Sequence, residues 1–207
     1  PYRNRQSKIT GFIKRSVEPK GVEIVDKKTG EIHKDVRYDS TFEISKHDLF
    51  GLDKISKKLD ELIIVEGYPD ALYLKAIGIN NIVAIGQGMM SKTHLEGLRA
   101  NKIKYVTIMF DNDKEDPKTG IRSGIKNTEA AVRLILNNSD IVPFVLDPFK
   151  LSPAKDPDEY VRTFGIDAFK ALIKKREHGV MWVAGRLLTK YDRTDAIESA
   201  KLREDLL

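Results

Sequence analysis

Residues 62–67, LIIVEG, and residues 105–113, YVTIMFDND, establish the architecture of this 207-residue chain. Each begins with a mainly apolar run, unbroken in the first stretch, that ends directly in an acidic group. Such a run predicts a strand that is buried on both faces, as strands of parallel sheets are. Because parallel strands bring their carboxyl ends to one edge of a sheet, we expect both acidic groups to leave the same edge.

Strand and helix patterns alternate around these two stretches. Further strand candidates occur at 81–85 (NIVAI) and 141–146 (IVPFVL), and residues 86–88 (GQG) predict a turn. This alternation predicts an α/β fold with a parallel sheet and helices on both of its faces. The helical patterns span 69–78, 91–102, 123–136, 157–164, 166–175, 181–191 and 195–206.

The first part of the chain differs in texture, because it is basic and rich in turn residues. Residues 8–13 and 21–25 predict short strands, and residues 27–30 (KKTG) predict a hairpin turn. We expect Phe12 and Phe50 to pack into the core. The predicted organisation is a basic subdomain at 1–58, an α/β domain at 59–150 and a helical segment at 151–207.

Composition excludes several classes of site. The chain has no cysteine, which excludes disulfides, thiolate zinc sites and cysteine nucleophiles. Lysine and arginine number 36 against 31 acidic residues, and this net charge of +5 permits a polyanionic partner without requiring one. No apolar run approaches the roughly 18 residues of a membrane span. We therefore expect a cytoplasmic protein without a membrane partner, with His47 and His94 at its surface.

The acidic residues at the predicted sheet edge indicate a metal site. Asp111 and Asp113 are two residues apart, so in an extended segment they point the same way and can meet Glu66. Three converging carboxylates repel one another unless cations neutralise them, and oxygen ligands suit Mg²⁺ or Mn²⁺. Asp156 and Asp158 follow the fourth strand and extend this set. The alternative is that such acids cap helices, which Asp156 before Pro157 would do well.

These motifs resemble those of a known family. Residues 66–70 (EGYPD) resemble the first motif of the TOPRIM fold, which topoisomerases and primases share, and residues 111–113 (DND) resemble its DxD motif. The fuller resemblance is to bacterial DnaG-type primases and extends over nearly the whole chain. Its segments are 3–5 (RNR), 9–12 (ITGF), 49–52 (LFGL), 80–86 (NNIVAIG), 155–161 (KDPDEYV) and 165–169 (GIDAF).

The resemblance implies a TOPRIM fold, in which helices sandwich a parallel sheet, with a small mixed α/β N-terminal subdomain and a helical C-terminal tail. It also implies a polymerase core that joins ribonucleoside triphosphates into short RNA primers on a single-stranded DNA template. Catalysis would depend on two or more Mg²⁺ or Mn²⁺ ions. The implied metal ligands are Glu66, Asp111, Asp113, Asp156 and Asp158, of which the first three are catalytic. Asp70, Gly67 and Gly86 are accessory candidates.

Basic residues are the candidates for nucleic-acid and nucleotide binding, namely Arg3, Arg15, Arg37, Lys46 and Lys155. A solvated basic face is the alternative interpretation of the N-terminal members of this set. The family's zinc-binding module and its helicase-binding domain are expected outside these residues, because no zinc-ligand set occurs here. A replicative helicase would therefore be contacted by other regions.

The sequence also departs from the family pattern. Residues 114–122 (KEDPKTGIR) separate the DxD motif from the following helix, which predicts an enlarged loop beside the metals. Lys46 is displaced by one position from the lysine that precedes the LFGL-type segment in the family. Alternatives remain open at this point: another TOPRIM enzyme such as a nuclease or topoisomerase, the primase part of a phage primase–helicase, or a non-catalytic nucleic-acid-binding module.

Overall fold

The computed structural model describes residues 2–3, 8–15, 23–25, 32–34, 38–40, 49–86 and 89–206. It divides the chain into two units, Pro1–Lys46 and His47–Leu207. The three-part division proposed above, 1–58, 59–150 and 151–207, stays a prediction.

The described residues of the first unit form three pairs of short antiparallel strands, β1–β2, β3–β6 and β4–β5. The pairing of Glu23–Val25 with Ile32–Lys34 confirms the predicted hairpin, whereas its turn at 27–30 lies outside the described residues. Phe12 is 54% exposed, so the prediction that it packs into the core is wrong. The strands are β1 (Tyr2–Arg3), β2 (Ile9–Gly11), β3 (Ile13–Arg15), β4 (Glu23–Val25), β5 (Ile32–Lys34) and β6 (Tyr38–Ser40).

The second unit is built on a five-stranded sheet with the order β11-β10-β9-β7-β8. Strands β7 to β10 are parallel to one another, which confirms the predicted parallel sheet, and β11 runs antiparallel to β10 at the edge. Strand β11 was not predicted, because two residues are too short to show a pattern. The strands are β7 (Glu61–Val65), β8 (Ile82–Ala84), β9 (Tyr105–Met109), β10 (Val142–Val145) and β11 (Glu177–His178).

Helices cover both faces of this sheet. Because side chains alternate along a strand, Leu62 and Ile64 enter the core on one face, whereas Ile63 and Val65 enter the core on the other. The first core packs against α2, α3 and α6, and the second against α1, α4 and α5. The helices are α1 (Tyr68–Ala76), α2 (Lys92–Ala100), α3 (Ser123–Asn138), α4 (Pro157–Phe164), α5 (Ile166–Ile173), α6 (Gly179–Lys190) and α7 (Ala196–Leu206).

Burial on both faces explains why these strands read as continuous apolar runs. Ile64 and Val65 are fully buried, and each such side chain contributes about 1.5–3 kcal/mol through the hydrophobic effect. Phe50 bonds to Ala84 through backbone hydrogen bonds and packs edge to face on Tyr68, as expected of a core residue. The core therefore fixes the strand ends from which the acidic residues emerge.

Helix α2 begins with a capping box in which a histidine takes the usual place of glutamate. The His94 backbone N–H donates to Ser91 Oγ, and the Ser91 N–H donates to His94 Nδ1 over 3.1 Å. His94 is 2% exposed, so its predicted surface position is wrong. His47 lies outside the described residues. None of the helices in the described ranges is long and apolar enough to span a membrane.

Candidate active site

Glu66 leaves the carboxyl end of β7 and is held from two directions. Its Oε2 accepts a hydrogen bond from the Asp111 backbone N–H over 3.3 Å, and its Oε1 accepts one from the Asn127 side-chain amide over 3.2 Å. These bonds join the end of β7 to the segment after β9 and to the first turns of α3. Burial raises the pKa of the Glu66 carboxyl, and the two hydrogen bonds partly oppose that rise.

The side chains of Asp111 and Asp113 both face the ammonium group of Lys155, and so point the same way, as their spacing predicts. Lys155 Nζ lies 3.7 Å from Asp111 Oδ2 and 3.5 Å from Asp113 Oδ1. The Ser123 hydroxyl, in the first turn of α3, donates to Asp113 Oδ2 over 2.6 Å. The structure thus brings the acids of two strand ends, a helix start and one lysine together at the carboxyl edge of the sheet.

The electrostatics of Asp111 are unusual for an aspartate. Burial raises the pKa of its carboxyl to about 8, and the negative charges of Glu66 and Asp70 add to this rise. Among the described residues, its buried Oδ1 has no hydrogen-bond partner. Such a group is costly to keep charged unless a cation meets it. An all-oxygen donor set with one unused buried oxygen therefore fits a hard divalent cation.

Asp70 joins this network from the first turn of α1. It is only 6% exposed, and its Oδ1 accepts the Asp158 backbone N–H over 3.3 Å, which ties the beginning of α1 to that of α4. Burial and the charge of Asp156 raise the Asp70 pKa to about 7. A Cβ on Gly67 would come within 2.3 Å of Asp70 Oδ2, so the absence of a side chain there leaves room for this carboxyl.

Gly86 has a related steric role on the neighbouring strand end. Its φ of +88° favours glycine, and a Cβ there would lie 2.1 Å from the Tyr68 hydroxyl oxygen. The accessory candidates Gly67 and Gly86 therefore both permit close packing around the turn that follows Glu66. A direct contact of either glycine with a substrate stays a prediction.

Asp156 and Asp158 have structural partners. Asp156 caps α4 by accepting the Glu159 N–H over 2.8 Å, as its position before Pro157 predicts. Asp158 forms an ion pair with Arg162, one turn later on the same helix. The described part of the chain contains no group of three or more His, Asp or Glu side chains already arranged around a metal position. Their roles as ligands stay predictions.

The other basic candidates belong to the first unit. Arg3 lies in β1 and is partly buried, and Arg15 ends β3. Arg37 and Lys46 lie outside the described residues. Their contact with nucleic acid stays a prediction.

Sequence reasoning missed three residues of α3, namely Ser123, Gly124 and Asn127. Ser123 and Asn127 bond to the acids, as described above. Gly124 lets the helix approach them, because a Cβ at this position would lie 1.8 Å from the Asp111 carbonyl oxygen. No signal in a single sequence distinguishes these polar and small residues from an ordinary helix start. The close approach depends on how α3 packs against the end of β9.

Comparisons with known proteins show which proteins this chain is similar to. Residues 60–143 match the family model of the Toprim domain. The chain is 28% identical over 178 residues to the DNA primase of Staphylococcus aureus, covering 84% of this chain and 26% of that protein. The chain therefore spans about a quarter of the length of the curated relatives it matches.

Solved structures extend the likeness to the whole fold. A DNA primase domain from Pseudomonas aeruginosa is 25% identical, with a TM-score of 0.76, and the match covers 98% of this chain and 58% of that one. A DnaG primase catalytic domain bound to single-stranded DNA is 21% identical, with a TM-score of 0.64 and coverage of 98% and 60%. Residues 60–143 therefore match the Toprim domain, and the chain has the fold of the catalytic core of DnaG-type bacterial primases.

Proposed function

We propose that this chain is the catalytic core of a DNA primase, which joins ribonucleotides into short RNA primers on single-stranded DNA during replication. The observation that carries the proposal is the meeting of Glu66 with the segment of Asp111 and Asp113 at the carboxyl edge of the sheet. The relatives named DNA primase support it, although this chain spans only part of their length.

The Toprim primases are metal-dependent enzymes, and the acids described above would hold the ions. Glu66, Asp111 and Asp113 would bind two or more Mg²⁺ or Mn²⁺ ions, with Asp156 and Asp158 as further ligands after their side chains turn. When bound, such ions lower the pKa of an attacking primer 3′-hydroxyl and offset the charge of a leaving pyrophosphate. Asp111 Oδ1, which lacks a partner among the described residues, is the oxygen most ready to bind one.

The residues of the chain itself position these acids. Asn127 and the Asp111 backbone N–H orient the Glu66 carboxylate, and the Ser123 hydroxyl orients that of Asp113. Lys155 offsets part of the negative charge of the aspartates before ions arrive. Once ions replace it there, its ammonium group would be available to the triphosphate of an incoming nucleotide. This exchange agrees with its predicted role in nucleotide binding.

The partners of the reaction follow from this role. The substrates would be ribonucleoside triphosphates and a single-stranded DNA template, and a replicative helicase would be contacted by regions outside these residues. Template binding is assigned to Arg3, Arg15, Arg37 and Lys46. A role in bacterial DNA replication would place the protein in the cytoplasm.

The direct test is incubation of the chain with a single-stranded template, labelled ribonucleotides and Mg²⁺ or Mn²⁺. Primer-length RNA that depends on template and metal is the expected product. Cleavage of the template without synthesis would contradict the proposal and indicate a Toprim nuclease. DNA binding with neither activity would indicate a non-catalytic module.

Metal binding should stabilise the protein in a pH-dependent manner. At a metal concentration of about one hundred times Kd, linkage predicts about 2.7 kcal/mol, or a rise in Tm of about 5–10 °C. Because the Asp111 pKa is raised to about 8, the metal-free site holds a proton at pH 6 that an ion must displace. We therefore expect the Mn²⁺-induced rise in Tm to be larger at pH 8.5 than at pH 6, as measured by thermal unfolding.

The Glu66→Gln variant provides the control for this measurement, because it removes one charge and keeps the shape of the side chain. Its rise in Tm with Mn²⁺ should be much smaller than that of the unchanged protein. An equal rise in both proteins would place the ion elsewhere.

The basic N-terminal residues give a separate prediction. If they carry the template, the combined Arg3→Ala, Arg15→Ala and Arg37→Ala variant should bind single-stranded DNA of any sequence more weakly. The slope of log affinity against log salt should fall by about 2, at about 0.7 for each lost phosphate contact. Fluorescence anisotropy over a salt series measures this slope. An unchanged slope would identify these arginines as a solvated face.

A further inference from the structure

A groove with a volume of about 630 Å³ opens beside loop 114–122 of the second unit, between α3 and the end of α6. It lies on the sheet face that α3 and α6 cover, and nothing in the proposed reaction uses it. Phe149 and Ile121 form part of its wall and are 46% and 47% exposed. The groove therefore combines apolar surface with the basic side chains described next.

Positive charge exceeds negative charge along this groove. Two acids line it, and both are already paired, Glu115 with Arg122 at 3.4 Å and Glu129 with Arg133 at 3.1 Å. A further lining residue, Lys190, pairs with Asp205. The basic residues that line the groove are Arg122, Lys126, Arg133, Arg186 and Lys190.

Two of the five cations, Lys126 and Arg186, form no ion pair with any carboxylate in the described ranges. The Nε of Arg186 is buried there without an acceptor, while its guanidinium lies 5.1 Å from the centre of the Trp182 ring. A buried donor that lacks an acceptor is costly, so an anionic ligand in the groove would be stabilised by this residue.

The exposed ring of Phe149 adds a flat surface to this positive charge. The Arg122 guanidinium lies 4.9 Å from the centre of the ring, which orients both groups. Cations beside an exposed aromatic ring suit a single nucleic-acid strand, since phosphates meet the cations and a base can stack on the ring. An inorganic anion would use the charge alone and make no use of the exposed ring surface.

The groove is also continuous with the acid cluster. Arg122 Nη1 donates to the Asp113 carbonyl over 3.2 Å. Within the loop, Asp116 accepts the Lys118 N–H over 2.7 Å and donates its own N–H to the Ile121 carbonyl over 3.1 Å, which closes a turn that holds the wall in place. A strand that lies in this groove therefore passes directly beside the carboxylates.

We propose that this groove binds the sugar–phosphate backbone of single-stranded DNA that extends from the carboxylate centre. The inference rests on the proposed function in that it takes nucleic acid as the substrate. It adds a binding surface formed by the enlarged loop and by α3 and α6, and it uses none of the basic residues of the N-terminal unit.

The test measures the binding of a fluorescein-labelled 20-mer of deoxythymidine to the 207-residue chain over a salt series. The Lys126→Ala, Arg186→Ala double variant should bind about tenfold more weakly at low salt, and the slope of log affinity against log salt should fall by about 1.4. Lys126→Ala alone, at an exposed position, should lower the slope by about 0.7. This single variant keeps the test decisive if loss of Arg186 impairs folding.

The matched control removes the same charge from the opposite face of the sheet. Lys170 and Lys174 are exposed in and after α5, whose Phe169 and Leu172 pack into the other core. The Lys170→Ala, Lys174→Ala variant should bind like the unchanged chain. An equal loss in both double variants would mean that only net charge matters, and the proposal would be wrong.

Crosslinking provides a direct readout of position. A photoreactive amino acid at Ile121 should crosslink to the oligonucleotide, whereas the same amino acid at Lys170 should not. No crosslink from Ile121 together with an unchanged salt slope would overturn the proposal and leave an acidic protein segment as the candidate occupant. Crosslinking without primer synthesis would instead contradict the proposed function alone, so the two failures are distinguishable.

Discussion

The Asp111→Asn variant is expected to lose primer synthesis by a factor of about 10²–10³, and yet to be at least as stable as the unchanged protein without metal. Asparagine keeps the shape of the side chain but removes the charge that would stabilise the reacting groups through the ions. It also removes a carboxylate from a cluster of acids that repel one another.

The effect on stability has a defined dependence on pH. The Asp111 pKa is raised to about 8 in the folded protein, so the folded state binds this proton more tightly than the unfolded state does. The stabilisation that this proton provides is complete below the unfolded pKa and is lost as pH rises through about 8. The variant should therefore gain most in Tm over the unchanged protein above pH 8 and little near pH 4, as measured by metal-free thermal unfolding.

Asp167→Asn is the matched control, because it makes the same chemical change at an exposed position in the first turn of α5. Full synthesis is expected from this variant. A large loss of stability in Asp111→Asn across the whole pH range would contradict the prediction, since it would show that the Asp111 carboxylate supports the fold.

The Gly124→Ala variant is expected to lose both stability and synthesis, although it adds a single methyl group. Its Cβ would lie 1.8 Å from the Asp111 carbonyl oxygen and 2.9 Å from the carbonyl carbon, so α3 or the Asp111 backbone must move. Overpacking of this kind costs about 1–3 kcal/mol. A displacement of about 1 Å in a group that positions reactants reduces rate by about 10².

Gly185→Ala is the matched control, since its Cβ would meet nothing within 4 Å on helix α6. That change should raise stability by about 0.5–1 kcal/mol, because alanine is the better helix former. Unfolding in urea and the synthesis assay measure both variants. Normal stability and activity in Gly124→Ala would contradict the prediction, since it would show that the backbone after β9 can move at little cost in free energy.

The sheet could be predicted from sequence because its strands are buried on both faces. The apolar runs in the sequence indicate directly that residues such as Leu62 and Ile64 are buried. Those runs end where the acidic residues begin. The approach of Glu66 to the Asp111 segment then follows from parallel topology alone. No structural detail beyond the shared edge of the sheet was needed to predict this part of the site.

The remaining contacts could not be predicted, because each depends on tertiary packing. Asp70 and Asp158 are 88 positions apart in sequence and meet because α1 and α4 lie side by side. His94 is buried because it takes the acceptor role of a capping box, a role that its residue type does not suggest. Phe12 has the apolar aromatic side chain that is typical of a core residue, but it is exposed at the surface.

The ammonium group of Lys155 between Asp111 and Asp113 has a consequence for the folding of newly made chains in the cell. Small zinc domains stay unfolded until metal arrives, because metal binding supplies their folding free energy. Here a lysine of the same chain provides the first counter-charge, and two extensive cores provide the folding free energy. Under the proposed function, newly made chains can therefore fold when divalent ions are scarce, and ions are then needed for the reaction and for the added stability that their binding supplies.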